Sequence, residues 1–404
     1  MSTPTATTKS DKTLPAFPGK EVPFGVNEVR LNLRQWIITA LIILTVVLLI
    51  PRLWAHIEKF DTGPDYRIPY ALSKDYWLYG RRLRQDVRRD QIVLLGDSVI
   101  WGEYVLPNGT LSHFLNQEAG ATNRFINGGL NGLFPLAQEG LVTYYSGSLH
   151  NQKVLLHCNV LWMTSPKADL STTKEEQFNH AALVPQFSPR IPCYKADANE
   201  RLSAIVQRDV DFIAWVNHLQ NAYYDQKSIL SWTLADDGGS PPHYPNVYKN
   251  PLNQITLTLP VAPKNDPQRG PASPRHKPWS ANGQGTVTFD WVDLDASLQW
   301  RAFQRVLRTL RERGNDVFVV LGPFNEHIMA QENRAAYHKI RDGIAEWLEQ
   351  NHVAHTVPET LPSLLYADAS HPLTQGYQQL AQRLFTDEAF GRWTARGDPR
   401  SKWP

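Results

Sequence analysis

Five short apolar runs constrain this chain more than anything else in it. They are QIVLLG (91–96), NRFING (123–128), KVLLHCN (153–159), DVFVVLG (316–322) and HVAHTV (352–357). Each is too short for a helix, and the first four close on glycine or asparagine, as buried strands do. Helical patterns alternate with them: one over 110–119, one over 136–149, and one marked by Ala302, Phe303, Val306, Leu307 and Leu310 that ends at Gly314. A fourth covers 333–351, and a last runs from Thr374 as N-cap through Tyr377, Leu380, Ala381 and Leu384. Such βαβα alternation predicts an α/β protein: a flavodoxin-like three-layer α/β/α parallel sheet. Function in such sheets collects at the carboxyl ends of the strands.

The alternation fails between Leu161 and about Asp293, which predicts a long insertion at about 164–293. It contains one helical pattern, Asn199–Tyr224, then the Pro/Gly/Asn-rich stretch 236–285, expected as loop; the whole reads as a substrate-binding cap. There is no internal repeat. The expected organisation is a catalytic domain over 90–390, preceded by a linker and entry segment at 55–90 and followed by a tail at 391–404.

Near the N-terminus, WIITALIILTVVLLI (36–50) carries no charge and no glycine. Fifteen residues of helix span about 22 Å, short of a hydrocarbon core of about 30 Å. Leu31, Leu33, Leu53 and Trp54 lengthen the segment enough to cross, with Arg34 and Arg52 reaching the two interfaces. No small-residue cleavage site follows, only PRLWAHIEK, so 31–54 reads as an uncleaved transmembrane signal-anchor. Residues 1–30, rich in Thr, Ser, Pro and Lys, read as a disordered cytoplasmic tail. Five basic residues precede the span (Lys9, Lys12, Lys20, Arg30, Arg34) and Arg52, Lys59 and Arg67 follow it. That bias places the catalytic domain outside the inner (cytoplasmic) membrane, in the periplasm.

Composition narrows the partners. The 41 Lys and Arg are interspersed with 39 Asp and Glu for a formal charge of +2, which leaves no basic stripe for nucleic acid. The two cysteines, Cys158 and Cys193, show no metal-ligand spacing, and neither a metal nor a cofactor is expected. They can form one disulfide or stand as two buried thiols.

Three motifs fall at the ends of the first three runs, and a fourth follows the fifth run. Gly96-Asp97-Ser98 follows the first run, where a serine on a strand-to-helix turn exposes its hydroxyl. Asn127-Gly128-Gly129-Leu130-Asn131-Gly132 follows the second and can aim a backbone N–H at an oxyanion. Asn159 ends the third, with an amide able to donate. Asp368-Ala369-Ser370-His371-Pro372 precedes the last helix; an Asp three residues ahead of a His can hold its Nδ1–H and leave Nε2 for a serine. Singly, each is also ordinary turn or cap chemistry. His157, inside an apolar run, reads as a core residue, and Glu103, Glu326 and His327 have no spacing that assigns them a role.

In this order the motifs resemble the SGNH (GDSL-type) hydrolase superfamily, over about 90–162 and 295–386. The resemblance implies Ser98 as nucleophile, His371 as general base and Asp368 as its orienting partner. It also implies an oxyanion hole from the Ser98 N–H, the Gly132 N–H and the Asn159 amide. Gly132 is taken over Gly129 because the family's glycine lies five residues after the strand-end asparagine, here Asn127. The third motif departs from the usual Gly-x-Asn-Asp, with His157-Cys158-Asn159-Val160 in its place.

An acyl-enzyme on Ser98 can pass its acyl group to water or to a sugar hydroxyl. One membrane helix followed by an SGNH-like domain resembles the partners of multi-span membrane-bound O-acyltransferases, which O-acetylate exported polysaccharides or D-alanylate teichoic acids. The resemblance implies acyl transfer to or from an exported polysaccharide, or ester hydrolysis, with such an acyltransferase as partner. Trp101 and Trp162, each three residues past a catalytic candidate, are the candidate sugar contacts among 13 tryptophans, although core packing accounts for either. The alternative is a catalytically silent, SGNH-shaped glycan-binding or scaffold protein, which predicts Ser98 and His371 out of hydrogen-bond reach.

Overall fold

A computed structural model describes residues 31–60, 62–63, 65–88, 90–234, 249–259, 277–282 and 285–396. The expected tail at 1–30 and most of the expected loop at 236–285 lie outside them. The chain divides into two compact units, residues 1–50 and 51–404.

Helix α1 (Leu33–Ile57) runs across that division. It has 25 residues, with Pro51 inside it. Its side chains from Leu33 to Leu49 are almost all exposed, and it is the one described helix long and apolar enough to cross a membrane.

The larger unit is built on five parallel strands in the order β2-β1-β3-β4-β5: β1 (Ile92–Leu95), β2 (Phe125–Asn127), β3 (Lys153–Cys158), β4 (Asp316–Leu321) and β5 (Ala354–Thr356). All five expected strands are present. Successive strand side chains point to opposite faces, and the two faces build separate cores. Val93, Leu95, Val154, Leu156, Val319 and Leu321 pack on one side, against α2 (Tyr76–Asp86), α5 (Pro135–Tyr145), α9 (Leu298–Glu312) and α10 (Arg334–Gln350). Ile92, Leu94, Leu155, Phe318 and Val320 pack on the other, against α3 (Ser98–Trp101), α4 (Leu111–Glu118), α11 (Thr374–Thr386) and α12 (Glu388–Ala395). Apolar residues at both parities are what a strand covered on both faces requires, hence the unbroken apolar runs.

Several expectations need correction. Residues 55–90 are no linker, because α2 sends Leu78, Tyr79 and Leu83 into the core. The tail expected from 391 begins later, since α12 buries Phe390 and Trp393 completely. Thr374 is the first residue of α11, not its cap; Leu373 holds that place without a side-chain bond. The single helix expected over 199–224 is two, α6 (Ala198–Asp209) and α7 (Asp211–Tyr223), parted by an extended Val210 (φ −106°, ψ 101°). That one extended residue lets α7 pack back on α6. A short α8 (Ile229–Leu234) completes the described α-helices of the insertion.

Candidate active site

Chain direction in a parallel sheet sets the first requirement: the ends of β1, β2 and β3 lie side by side. Gly96 follows β1, and a Cβ there would stand 2.5 Å from Ile100 and 2.9 Å from His157, so only glycine fits. Asp97 then caps the turn by accepting from the Val99 N–H at 3.0 Å, and Ser98 opens α3.

Ser98 Oγ lies 2.7 Å from His371 Nε2, across 273 residues of sequence. On the other side of the ring, Nδ1 is 2.8 Å from each carboxylate oxygen of Asp368. Asp368 also accepts from the backbone N–H groups of Ser370 (2.9 Å) and His371 (3.0 Å), a tight turn that fixes the carboxylate before it meets the ring. The loop after β4 braces this turn: Asn325, fully buried, donates its backbone N–H to the Ala369 carbonyl and its amide to the Asp368 carbonyl. Nothing in the sequence pattern singled out Asn325. The Tyr377 hydroxyl ties α11 to the serine turn by donating to the Val99 carbonyl at 2.7 Å.

Asn159 is held at both ends. Its Oδ1 accepts from the Leu161 N–H, and its Nδ2 donates to Asp97 Oδ2 at 2.7 Å; among the described residues the second amide hydrogen has no acceptor. His157 sits on the other Asp97 oxygen through Nδ1 (3.2 Å), with Nε2 3.2 Å from the Gly322 carbonyl. Both ring nitrogens are engaged away from Ser98, so His157 is a packing residue, as its apolar surroundings suggested. Asp97 thus joins three elements. Burial would raise its pKa, but His157, then His371 and the Asn159 amide, outweigh that and hold it below the usual carboxylate value.

The β2 loop separates its two candidate glycines. The Gly129 N–H is spent on Asn127 Oδ1 at 3.0 Å, and a Cβ there would strike the Trp101 backbone. Gly132 is left-handed (φ +70°), and among the described residues its N–H has no protein acceptor, nor has that of Ser98. Asn179, from the insertion, packs so closely that a Cβ on Gly132 would lie 2.4 Å from its Nδ2.

Both tryptophans are core residues, the packing alternative weighed for each. Trp101 is completely buried, donates Nε1–H to the Ile68 carbonyl at 2.6 Å and stacks under the Arg67 guanidinium at 4.0 Å. Trp162 is buried in the core with Met163 and Val160. Neither indole offers a face to a sugar. Cys158 and Cys193 are two buried free thiols, and burial pushes the Cys158 thiol well above its ordinary range.

Sequence spacing also missed a second carboxylate. Glu103 Oε2 lies 3.4 Å from His371 Nε2, the nitrogen that faces Ser98. Tyr104, left-handed at φ +68°, sets its ring edge-on to the imidazole at 5.3 Å. Arg67 fixes this turn by donating to the carbonyls of Trp101, Gly102 and Val105. Burial alone would lower the His371 pKa; Asp368 first, then Glu103 and Asp97, reverse this and hold it above its ordinary value. Asp368 is held low in turn, its burial outweighed by His371 and the two backbone N–H groups. Among the described residues no group of three or more His, Cys, Asp or Glu could hold a metal.

No known family model matches the chain, and no curated protein matches it.

Proposed function

We propose that this protein is a serine-dependent acyl-ester enzyme of SGNH type, membrane-anchored by α1, that transfers an acyl group, most simply acetyl, to or from an exported polysaccharide. The observation that carries the proposal is the continuous relay Ser98 Oγ–His371 Nε2 (2.7 Å) and His371 Nδ1–Asp368 (2.8 Å). A silent scaffold has no need of that alignment and predicts the serine and histidine apart.

In this reading Asp368 keeps the proton on Nδ1, so Nε2 accepts the Ser98 proton as Oγ attacks the ester carbonyl. The tetrahedral oxyanion is received by the Ser98 and Gly132 N–H groups and the remaining amide hydrogen of Asn159. The Nε2 proton passes to the leaving alkoxide, and acyl-Ser98 remains. A hydroxyl acceptor or water then gives its proton to Nε2 and takes the acyl group, restoring Ser98.

The test is direct. Full-length protein in detergent, quenched during p-nitrophenyl acetate turnover, should carry one acetyl group on the peptide containing Ser98. Absence of that adduct, with no p-nitrophenolate burst, sinks the reading. Asn159→Ala should lower turnover by about 10²- to 10³-fold, the usual cost of one oxyanion donor. An unchanged rate would remove Asn159 from the hole. Turnover should also climb with pH through a limb above the ordinary histidine value of about 6.5, because His371 must be neutral to act as base and its pKa is raised.

A further inference from the structure

The triad accounts for both nitrogens of His371 but not for Glu103. Its carboxylate stands at Nε2, and its side chain is 28% exposed against 7% for His371. Of the two groups, Glu103 is the more accessible to an incoming acceptor. The placement is built, not incidental. The backbone N–H of Glu103 donates to the Ser98 carbonyl at 3.0 Å, Gly102 turns left-handed ahead of it, and Tyr104 takes a left-handed backbone that a non-glycine residue adopts at a cost. Arg67 grips three carbonyls of this turn, so the residues holding Glu103 at the imidazole are themselves held.

Two acceptors 3.4 Å apart, Nε2 and Oε2, suit two donors from one molecule. Adjacent hydroxyls on a sugar ring lie within hydrogen-bond distance of each other and present such a pair. One gives its proton to Nε2 as its oxygen attacks acyl-Ser98; the other donates to Glu103 and keeps its proton. The acyl carbon–Ser98 Oγ bond breaks, the acyl carbon–acceptor oxygen bond forms, and the proton on Nε2 returns to Ser98. No further reactant is needed. We infer that Glu103 is an acceptor-orienting carboxylate that selects a vicinal diol for acyl transfer from Ser98. The inference rests on the Ser98 reading and adds the acceptor class to it.

The groups that face His371 are Ser98 and Asp97 from the β1 turn, Glu103 and Tyr104 from the turn after α3, and Asp368 from its own loop. Three of these are carboxylates, so the site favours a neutral acceptor over an anionic one and stabilises the imidazolium that forms during transfer.

The experiment compares cis-1,2-cyclohexanediol with cyclohexanol as acceptors from p-nitrophenyl acetate, with full-length protein in detergent. The ratio of acetylated alcohol to free acetate is read for wild type, Glu103→Ala and Glu103→Gln. Wild type should prefer the diol. Glu103→Ala should lose that preference by about ten- to a hundredfold, the worth of one hydrogen bond to a charged group, read as a product ratio so that any change in the rate of acylation cancels. Glu103→Gln, which keeps an acceptor oxygen without the charge, should fall between. His371, followed by NMR of its imidazole, should titrate at lower pH in Glu103→Gln than in wild type. A diol preference unchanged in Glu103→Ala, with a normal burst, overturns the inference alone. No burst in wild type overturns the Ser98 reading and this inference with it.

Discussion

Ser98→Ala should lower ester turnover by about 10⁴-fold or more while the protein keeps its fold, which thermal denaturation and circular dichroism would check. The size follows from what is removed, since without Oγ no acyl-enzyme forms and only the binding and oxyanion groups can act on water. The fold is spared because the turn does not depend on the hydroxyl. Asp97 caps it through the Val99 N–H, Gly96 supplies the close approach to Ile100, and alanine is at home in a first helical turn. Equal turnover in the variant would end the proposal. A lost fold would show that Ser98 is structural, and retained folding with lost turnover is the expected pair of results.

The second large effect lies away from this site, in a buried charge network. Glu58, just after α1, pairs with Arg81 of α2 and accepts from the Tyr223 hydroxyl at 2.5 Å. His218 of α7 stands between two carboxylates, Nδ1 at 2.7 Å from Asp75 and Nε2 at 3.1 Å from Glu58. All five side chains are buried. Glu58→Ala leaves the buried Arg81 without its carboxylate and His218 with Asp75 alone, and breaking a buried pair from one side costs about 3–5 kcal/mol. Chemical denaturation measures it, and a loss under about 1 kcal/mol would show that the network relaxes or hydrates.

The same network sets a pH dependence. Burial would lower the His218 pKa, but Asp75, then Glu58, overcome it and raise the ring to about 9. A histidine raised on folding contributes its stability in full below its unfolded value of about 6.5 and loses it as pH rises through the folded value. Stability should therefore decline between pH of about 6.5 and about 9. Glu58, held below its ordinary value, acts oppositely, its contribution disappearing only as the pH falls into the acid range. A wild-type denaturation midpoint flat from pH 6 to 9 would contradict the assignment of charge to His218.

Much of the fold was legible in the sequence for a definite reason. A strand covered on both faces needs apolar residues at both parities, and IVLL, VLLHC and VFVVL announce it locally. Ser98, Asp368 and His371 were legible because each sits in a turn whose chemistry is written within three residues. Boundaries that depend on packing were not. Val210 breaks a helix that its neighbours would continue, and α12 was hidden because its burial comes from Phe125 and Phe318, distant in sequence.

By itself, then, the sequence determined the parallel sheet, the apolar N-terminal helix and the ordered set of motif residues, since all three rest on local spacing and strand direction. Only the tertiary structure decided which of those residues meet. It set Ser98 against His371, spent the Gly129 N–H and left that of Gly132, and buried Trp101 and Trp162. It also engaged His157 with Asp97 and brought Glu103 to Nε2. Each of these turns on the distance between side chains far apart in the chain, and a local pattern carries no record of that distance.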